Sequence, residues 1–166
     1  MKTTILLLLI SLSIYSQDRV SLSIHQDARL ALVGDGHYQP FTANILARFK
    51  MQGKQQEYGY LIIYPEFEYA EIEGIYKRYS VNAGYTFNKL ILDNFETSIQ
   101  GGWGFIDRYD TGAFSFSLSG ELAYKVTDRF KVSLIAQFTE RKDLKWMYGD
   151  NVIRFSGFVG IEYNLN

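Results

Sequence analysis

From about residue 20 onward, apolar and polar residues alternate one by one along most of the chain. A period of two is that of a β-strand whose faces meet different surroundings, and no long stretch shows the helical period instead. In the first run Val20, Leu22, Ile24, Ala28, Leu30 and Leu32 share one face and Ser21, Ser23, His25, Asp27 and Arg29 the other, with Gln26 interrupting the apolar side and Gly34-Asp35-Gly36 ending the run. The second sets Phe41, Ala43, Ile45, Ala47 and Phe49 against Thr42, Asn44, Arg48 and Lys50. The third, roughly 57–72, sets Leu61, Ile63, Phe67 and Tyr69 against Tyr60, Ile62, Glu66 and Glu68. Five cleaner runs follow, with apolar faces Tyr79–Phe87, Phe95–Phe105, Phe114–Val126, Phe130–Phe138 and Ile153–Leu165. Eight strands of about ten residues match the pattern of an antiparallel barrel that crosses a membrane with ~9–11 residues per strand.

The start of the chain follows a different pattern. Lys2 precedes the apolar stretch Ile5–Ile10, which continues through Leu12 and Ile14 and ends at small Ser16 before Gln17. It is shorter than the ~20 residues a membrane helix needs. The reading is a secretory signal peptide over 1–16, removed to leave a barrel domain over 17–166. A buried N-terminal strand is the alternative.

Two barrels fit an alternating chain. A soluble, lipocalin-like barrel points its apolar face inward around an apolar ligand, and a membrane barrel inverts that polarity. Here the polar face is mostly Ser, Thr, Asn, Gln and Gly with scattered single charges, which suits a narrow hydrogen-bonded interior better than a solvated surface rich in Lys and Glu. Apolar-face aromatics gather near strand ends, with Phe49, Phe87, Phe95, Tyr124, Phe130 and Tyr163 toward one rim and Phe41, Tyr69, Tyr79, Phe105, Phe114, Phe138 and Phe155 toward the other. Two such belts are expected at the two membrane interfaces. The fold expected is all-β, an eight-stranded antiparallel up-and-down transmembrane barrel. Its termini are assigned to the periplasm and its longer loops, near 34–39, 73–77, 107–111 and 142–151, to the exterior. Pro65 falls mid-run, where a bulge, a local break or a strand projecting beyond the bilayer is expected.

Composition narrows the possible functions. Of 166 residues 16% are aromatic, which argues against disorder. The net charge of −1 removes the electrostatic case for nucleic acid. The absence of cysteine excludes disulfides, thiolate metal sites and a cysteine nucleophile.

Candidate chemistry is sparse. Asp27, Arg29, Arg48, Glu66, Glu68, Glu121, Arg154 and Glu162 are read as a lumen network of paired charges, because an unpaired charge in a dry interior is costly. Trp146 and Tyr148, in the last long loop, are read as exterior contact candidates, with anchoring of the outer belt as the plainer role. His25 with Asp27 and nearby serines only superficially suggests a Ser-His-Asp set, which is recognised by geometry. Asp35 and His37 fall short of a metal site, and Gly101-Gly102-Trp103-Gly104 lacks phosphate-loop spacing. No catalytic residue, cofactor or metal is expected.

The stretch Lys125–Leu134 and the ending Phe155–Asn166 resemble those of small Gram-negative outer-membrane barrels, the OmpA-like transmembrane domain and OmpX-like proteins. The ending departs from the family, in which an aromatic last residue is common, since this chain closes Tyr163-Asn164-Leu165-Asn166. The resemblance implies an eight-stranded barrel inserted by the barrel-assembly machinery. The function expected is that of a monomer in outer-membrane lipid with a structural or surface-interaction role toward an unidentified partner. The alternatives carried forward are the soluble periplasmic carrier and a lipid-modifying barrel enzyme.

Overall fold

The computed structural model describes residues 19–34, 39–72, 74–88, 92, 94–109, 111–144 and 152–165. The predicted signal segment and the loop residues Trp146 and Tyr148 lie outside the described residues. Eight strands form a closed barrel in sequence order: β1 (Arg19–Asp27), β2 (Asn44–Gln52), β3 (Gly59–Glu71), β4 (Ile75–Asn88), β5 (Phe95–Arg108), β6 (Thr111–Lys125), β7 (Phe130–Arg141) and β8 (Val152–Asn164). Every neighbouring pair is antiparallel. Closure comes from β1 against β8, from Ser21 opposite Asn164 to Asp27 opposite Phe158. No helix among the described residues is long and apolar enough to cross a membrane.

The alternation predicts the facing correctly. In β7, Lys131, Ser133, Ile135, Gln137, Thr139 and Arg141 are buried, while Val132, Leu134 and Phe138 are exposed. The inward set is largely polar and the outward set apolar, so the soluble-carrier arrangement, with an apolar interior, is not the one adopted. Strand lengths run from 9 residues in β1 and β2 to 15 in β6, beyond the uniform ten expected. The first and third predicted runs overran β1 and β3, whereas β4 and β5 continue past the predicted runs through the inward apolar residues Tyr76 and Ile106.

The first run is not strand to its end. β1 stops at Asp27, whose side chain accepts a hydrogen bond from the Leu30 amide at 3.1 Å and caps a five-residue helix, α1 (Ala28–Leu32). Asp is a favoured N-cap because its oxygen pairs an amide that the helix leaves unpartnered. Leu30, expected on the outward face, instead enters the barrel mouth and packs with Ala70, Ile72, Tyr76 and Ile106. Arg29, expected in the lumen, lies on the exposed side of α1.

The turns revise the predicted asymmetry. At the rim holding the termini, β2 and β3 are joined by 53–58, β4 and β5 by 89–94, and β6 and β7 by 126–129. In that last turn the Thr127 hydroxyl accepts from the Phe130 amide at 3.0 Å. At the opposite rim the connections at 72–74 and 109–110 are the tighter ones, not longer, and only 28–43 and 142–151 are extended. Gly74, with φ 88°, makes the first of these tight turns possible.

Pro65 sits within an unbroken β3 with no bulge. Partners on β2 and β3 keep one register on both sides of it, Arg48 opposite Glu66 and Met51 opposite Ile63. Pairing lapses only between those positions. The Glu71 amide donates to the Ala43 carbonyl and the Gly53 amide to the Leu61 carbonyl, both at 2.9 Å, so the bonded pairs of this ladder fall at odd residues. Phe49 and Pro65 form such a pair. Proline has no N–H, and the Phe49 carbonyl therefore loses its ladder donor.

Two glycines of β8 provide a test. A methyl group on inward Gly160 would collide with the Ile24 carbonyl and the His25 ring, whereas one on Gly157 meets nothing within 4 Å. Gly160→Ala should destabilise the folded barrel by about 1–3 kcal/mol through overpacking, and Gly157→Ala should be near neutral, measured by urea unfolding in detergent or lipid.

Candidate functional site, a charged lumen

The polar faces of eight strands converge on an interior narrow enough for side chains to fill. Charges that enter it leave water and must be paired there. The structure meets this with a relay of alternating sign that crosses from β6 and β7 to β4. Lys125, half-exposed at the rim, contacts Glu96 at 3.0 Å, and Glu96 also holds Lys131 at 2.7 Å. Lys131 lies 3.3 Å from Glu162, which binds Lys50 at 2.6 Å. Lys50 binds Glu121 at 2.7 Å, and Glu121 lies 3.2 Å from Arg48. Arg48 donates to Glu66 at 2.8 Å, and Arg78 reaches the other oxygen of Glu66 at 2.9 Å.

Neutral groups complete the coordination. Gln100 donates to Glu121 at 2.9 Å, and its carbonyl accepts from Tyr64 at 2.5 Å and Ser119 at 3.0 Å. Tyr60 donates to Glu96, Ser80 to Glu66, and Arg78 to the Ser115 and Ser117 hydroxyls. The Arg48 guanidinium lies 5.0 Å from the centre of the Tyr64 ring, a favourable cation–π placement when both groups are desolvated.

A second cluster closes the rim opposite the termini. Asp143, in the 3₁₀ turn Lys142–Leu144 that follows β7, accepts from Arg141 at 2.9 and 2.8 Å and contacts Arg108 at 3.0 Å. Arg141 lies 3.8 Å over the Tyr76 ring, and the Tyr76 hydroxyl donates to Glu68 at 3.2 Å. The apolar packing of Leu30 over Tyr76 and Ile106 lies in this same mouth.

Of the residues singled out from the sequence, Arg48, Glu66, Glu121 and Glu162 stand in the relay, and Glu68 in the mouth cluster. Asp27 is buried but serves α1 and the Asn44 amide group, at 3.4 Å, apart from the relay. Arg154 is half-buried on β8 opposite Thr139. Arg29 is outside the lumen altogether. His25 approaches the Ser133 hydroxyl at 2.8 Å, but Asp27 is turned to the helix N-terminus, so the three do not form a Ser-His-Asp set.

Lys50, Arg78, Glu96, Arg108, Lys131, Arg141 and Asp143 were not anticipated as site residues. Lys50, Glu96 and Lys131 lie near strand ends, where a charge reads as rim decoration. Arg108 and Asp143 fall in stretches read as exterior loops, and Arg78 and Arg141 border them. The available signal was that the two-residue period continues through Arg78, two after Tyr76, and Arg141, two after Thr139.

Glu121 sits between two cations, which makes it the sensitive link. Glu121→Gln leaves Lys50 and Arg48 facing each other across a neutral amide, and breaking a buried pair in this way costs about 3–5 kcal/mol. Pairing it with Lys50→Gln should restore part of that loss, so the double variant should be less destabilised than the sum of the singles in equilibrium unfolding.

No protein-family model matches the chain, and no curated protein matches it in sequence. Among solved structures it is similar to the outer membrane protein Ail of Yersinia pestis, determined in a phospholipid bilayer nanodisc. That match has TM-score 0.56 and 16% identity over 89% of this chain and 99% of that chain. Neisserial surface protein A, NspA, aligns with TM-score 0.45 and 9% identity over 87% of this chain and 94% of that one. At 16% identity the likeness to Ail is a likeness of fold. Eight antiparallel strands, closed in sequence order around a charged interior, give this chain the fold of the small eight-stranded outer-membrane β-barrels.

Proposed function

We propose that the chain is an integral outer-membrane barrel, monomeric, with a structural or surface-interaction role and a lumen blocked by its own ion pairs. The observation that carries this reading is the polarity of the wall. Leu22, Ile24, Leu61, Val81, Ile99, Phe116, Leu118 and Ile161 are exposed around the barrel, with Trp103 62% and Leu134 56% exposed. Water-soluble monomers rarely expose contiguous apolar patches beyond a few hundred Å². A continuous apolar band around a closed sheet suits hydrocarbon, where every backbone group of the spanning segment must be paired internally.

Outward aromatics support the same reading. Phe95 and Tyr124 lie 5.1 Å apart near the rim with the termini, and Phe67–Tyr79 and Phe138–Phe155 pair at 5.2 and 5.1 Å toward the other. They are proposed to be the two interfacial belts. The apolar N-terminal stretch supports export through a signal peptide cleaved after Ser16, with the barrel-assembly machinery as the insertion partner. The two extended connections, 28–43 and 142–151, support placing the termini in the periplasm and Trp146 and Tyr148 outside. No catalysis is proposed, since the His25–Ser133 contact is buried within the wall and lumen, away from any lipid substrate.

Position 134 provides the test. An environment-sensitive dye attached there should be quenched by lipid-borne quenchers in reconstituted protein, and a dye shielded from them would defeat the membrane reading. Leu134→Arg should lower stability in bilayers by about 2–4 kcal/mol. In planar bilayers the relay and the mouth cluster should leave no large steady pore, and sustained porin-like conductance from purified protein would refute the blocked lumen.

A further inference from the structure

Resting on the membrane reading, we infer that the connection between β1 and β2 is an interfacial anchor, in which α1 and Phe41 enter the headgroup–acyl boundary of the lipid leaflet and complete the outer aromatic belt where β1 stops. The wall is uneven in height. On β1 the outward apolar residues run from Val20 to Ile24, ~13 Å along the strand, against ~33 Å from Phe95 to Phe105 on β5. At a tilt of ~40° these are ~10 and ~25 Å of height, and a membrane barrel carries an apolar band ~25 Å tall. Outward Gln26 ends the β1 stripe, and its side-chain amide donates to the Thr42 carbonyl at 3.0 Å. β1 starts level with the end of β8, Ser21 opposite Asn164, and pairs with it only as far as Phe158. The shortfall therefore lies at the mouth, where residues 152–157 of β8 run past the end of β1.

The segment at this gap is apolar on its outer side. α1 packs beside β8. Its five helical residues rise only ~8 Å, where five extended ones would rise ~17 Å, so the chain stays close to the level of the Phe138–Phe155 pair. Residues two apart on a helix face nearly opposite ways, and with Leu30 in the mouth Leu32 faces away from it. Leu32, Val33 and Phe41 are 77%, 73% and 91% exposed, the highest values among the large apolar side chains of the described residues. They gather at one place, because the Phe41 amide donates to the Ala31 carbonyl at 3.1 Å. Phe41 is held there at φ 71°, a left-handed backbone that a bulky residue rarely adopts, and strain of this kind is kept where it serves a function. These residues lie outside every strand, in a connection that the membrane reading by itself leaves in water. Water gives no reason to present three such side chains together. The lipid boundary does, because it is continuous with the apolar wall below, and its headgroup level accommodates the Arg29 side chain, exposed on the same helix.

The chain has no cysteine, so a single introduced thiol carries one nitroxide label. Val33→Cys and Phe41→Cys are labelled in the full chain and reconstituted in phosphatidylcholine vesicles. Leu134→Cys is the lipid reference, and Asp128→Cys, in the exposed turn after β6, is the water reference. Leu32→Cys replaces either test variant that does not fold. Relaxation of the label by oxygen, which concentrates in lipid, is compared with relaxation by a water-soluble nickel chelate. The anchor predicts an oxygen-to-chelate ratio at positions 33 and 41 at least double that at 128 and below that at 134. A smaller ratio at either position, while 134 still favours oxygen, overturns the anchor and leaves the membrane reading intact. A label at 33 or 41 that neither reagent reaches is covered by protein, and that result overturns the anchor as well. Preference for the chelate at 134 overturns the membrane reading itself.

Discussion

The pairing of β1 with β8 is the contact on which the rest of the structure depends. An open eight-stranded sheet would present two rows of unpaired backbone groups, an invitation to aggregate in water and a prohibitive cost in hydrocarbon. Ser21 to Asp27 against Asn164 to Phe158 removes both edges at once. Closure also divides inside from outside, and the two-residue period then sends each side chain to one or the other without further choice. Pro65 shows how strict the arrangement is. One missing N–H interrupts two positions of one ladder, while the register on both sides continues unchanged.

A closed sheet of eight strands leaves no room for a solvated channel, and the lumen chemistry follows from that. Thirteen charged residues are buried among the described residues, six cationic and seven anionic. Isolated, each would carry a desolvation penalty of several kcal/mol. Alternation of sign from Lys125 to Arg78 lets each of the four carboxylates in the relay bridge two cations, and Tyr, Gln and Ser donors occupy remaining lone pairs. Such an interior adds little net stability over an apolar one of equal volume. It does penalise other registers, since sliding one strand by a residue would place Lys50 or Glu121 on the outer wall.

The two rims differ in how they end. Near the termini, turns of four to six residues connect the strands, and the relay members Glu96, Lys125 and Lys131 are the inward residues beside the turns at the ends of β5, β6 and β7. At the opposite mouth, α1 folds back so that Leu30 covers Tyr76, and Asp143 ties Arg108 to Arg141 above it. Apolar packing and ion pairing thus close the same opening from different chain segments. An inward apolar group is tolerated there because its neighbours are themselves the ring of Tyr76 and the aliphatic Ile72 and Ile106.

Alternation alone determined the all-β class, the number of strands and the face of nearly every strand residue, because a period of two is a local property of an extended backbone. Arg48, Glu66, Glu121 and Glu162 were legible as inward charges for the same reason. Tertiary structure decided what those charges touch, since Lys50 meets Glu121 and Glu162 across separations of 71 and 112 residues. It also decided where strands end. The step from strand to helix at Asp27 depends on a cap and on a mouth for Leu30 to fill, and neither is encoded in the two-residue period that carries Ala28, Leu30 and Leu32 past that point. Arg78, Arg108 and Arg141 became lumen residues because paired strands extended beyond the apolar band, and pairing between distant segments cannot be read from either segment by itself.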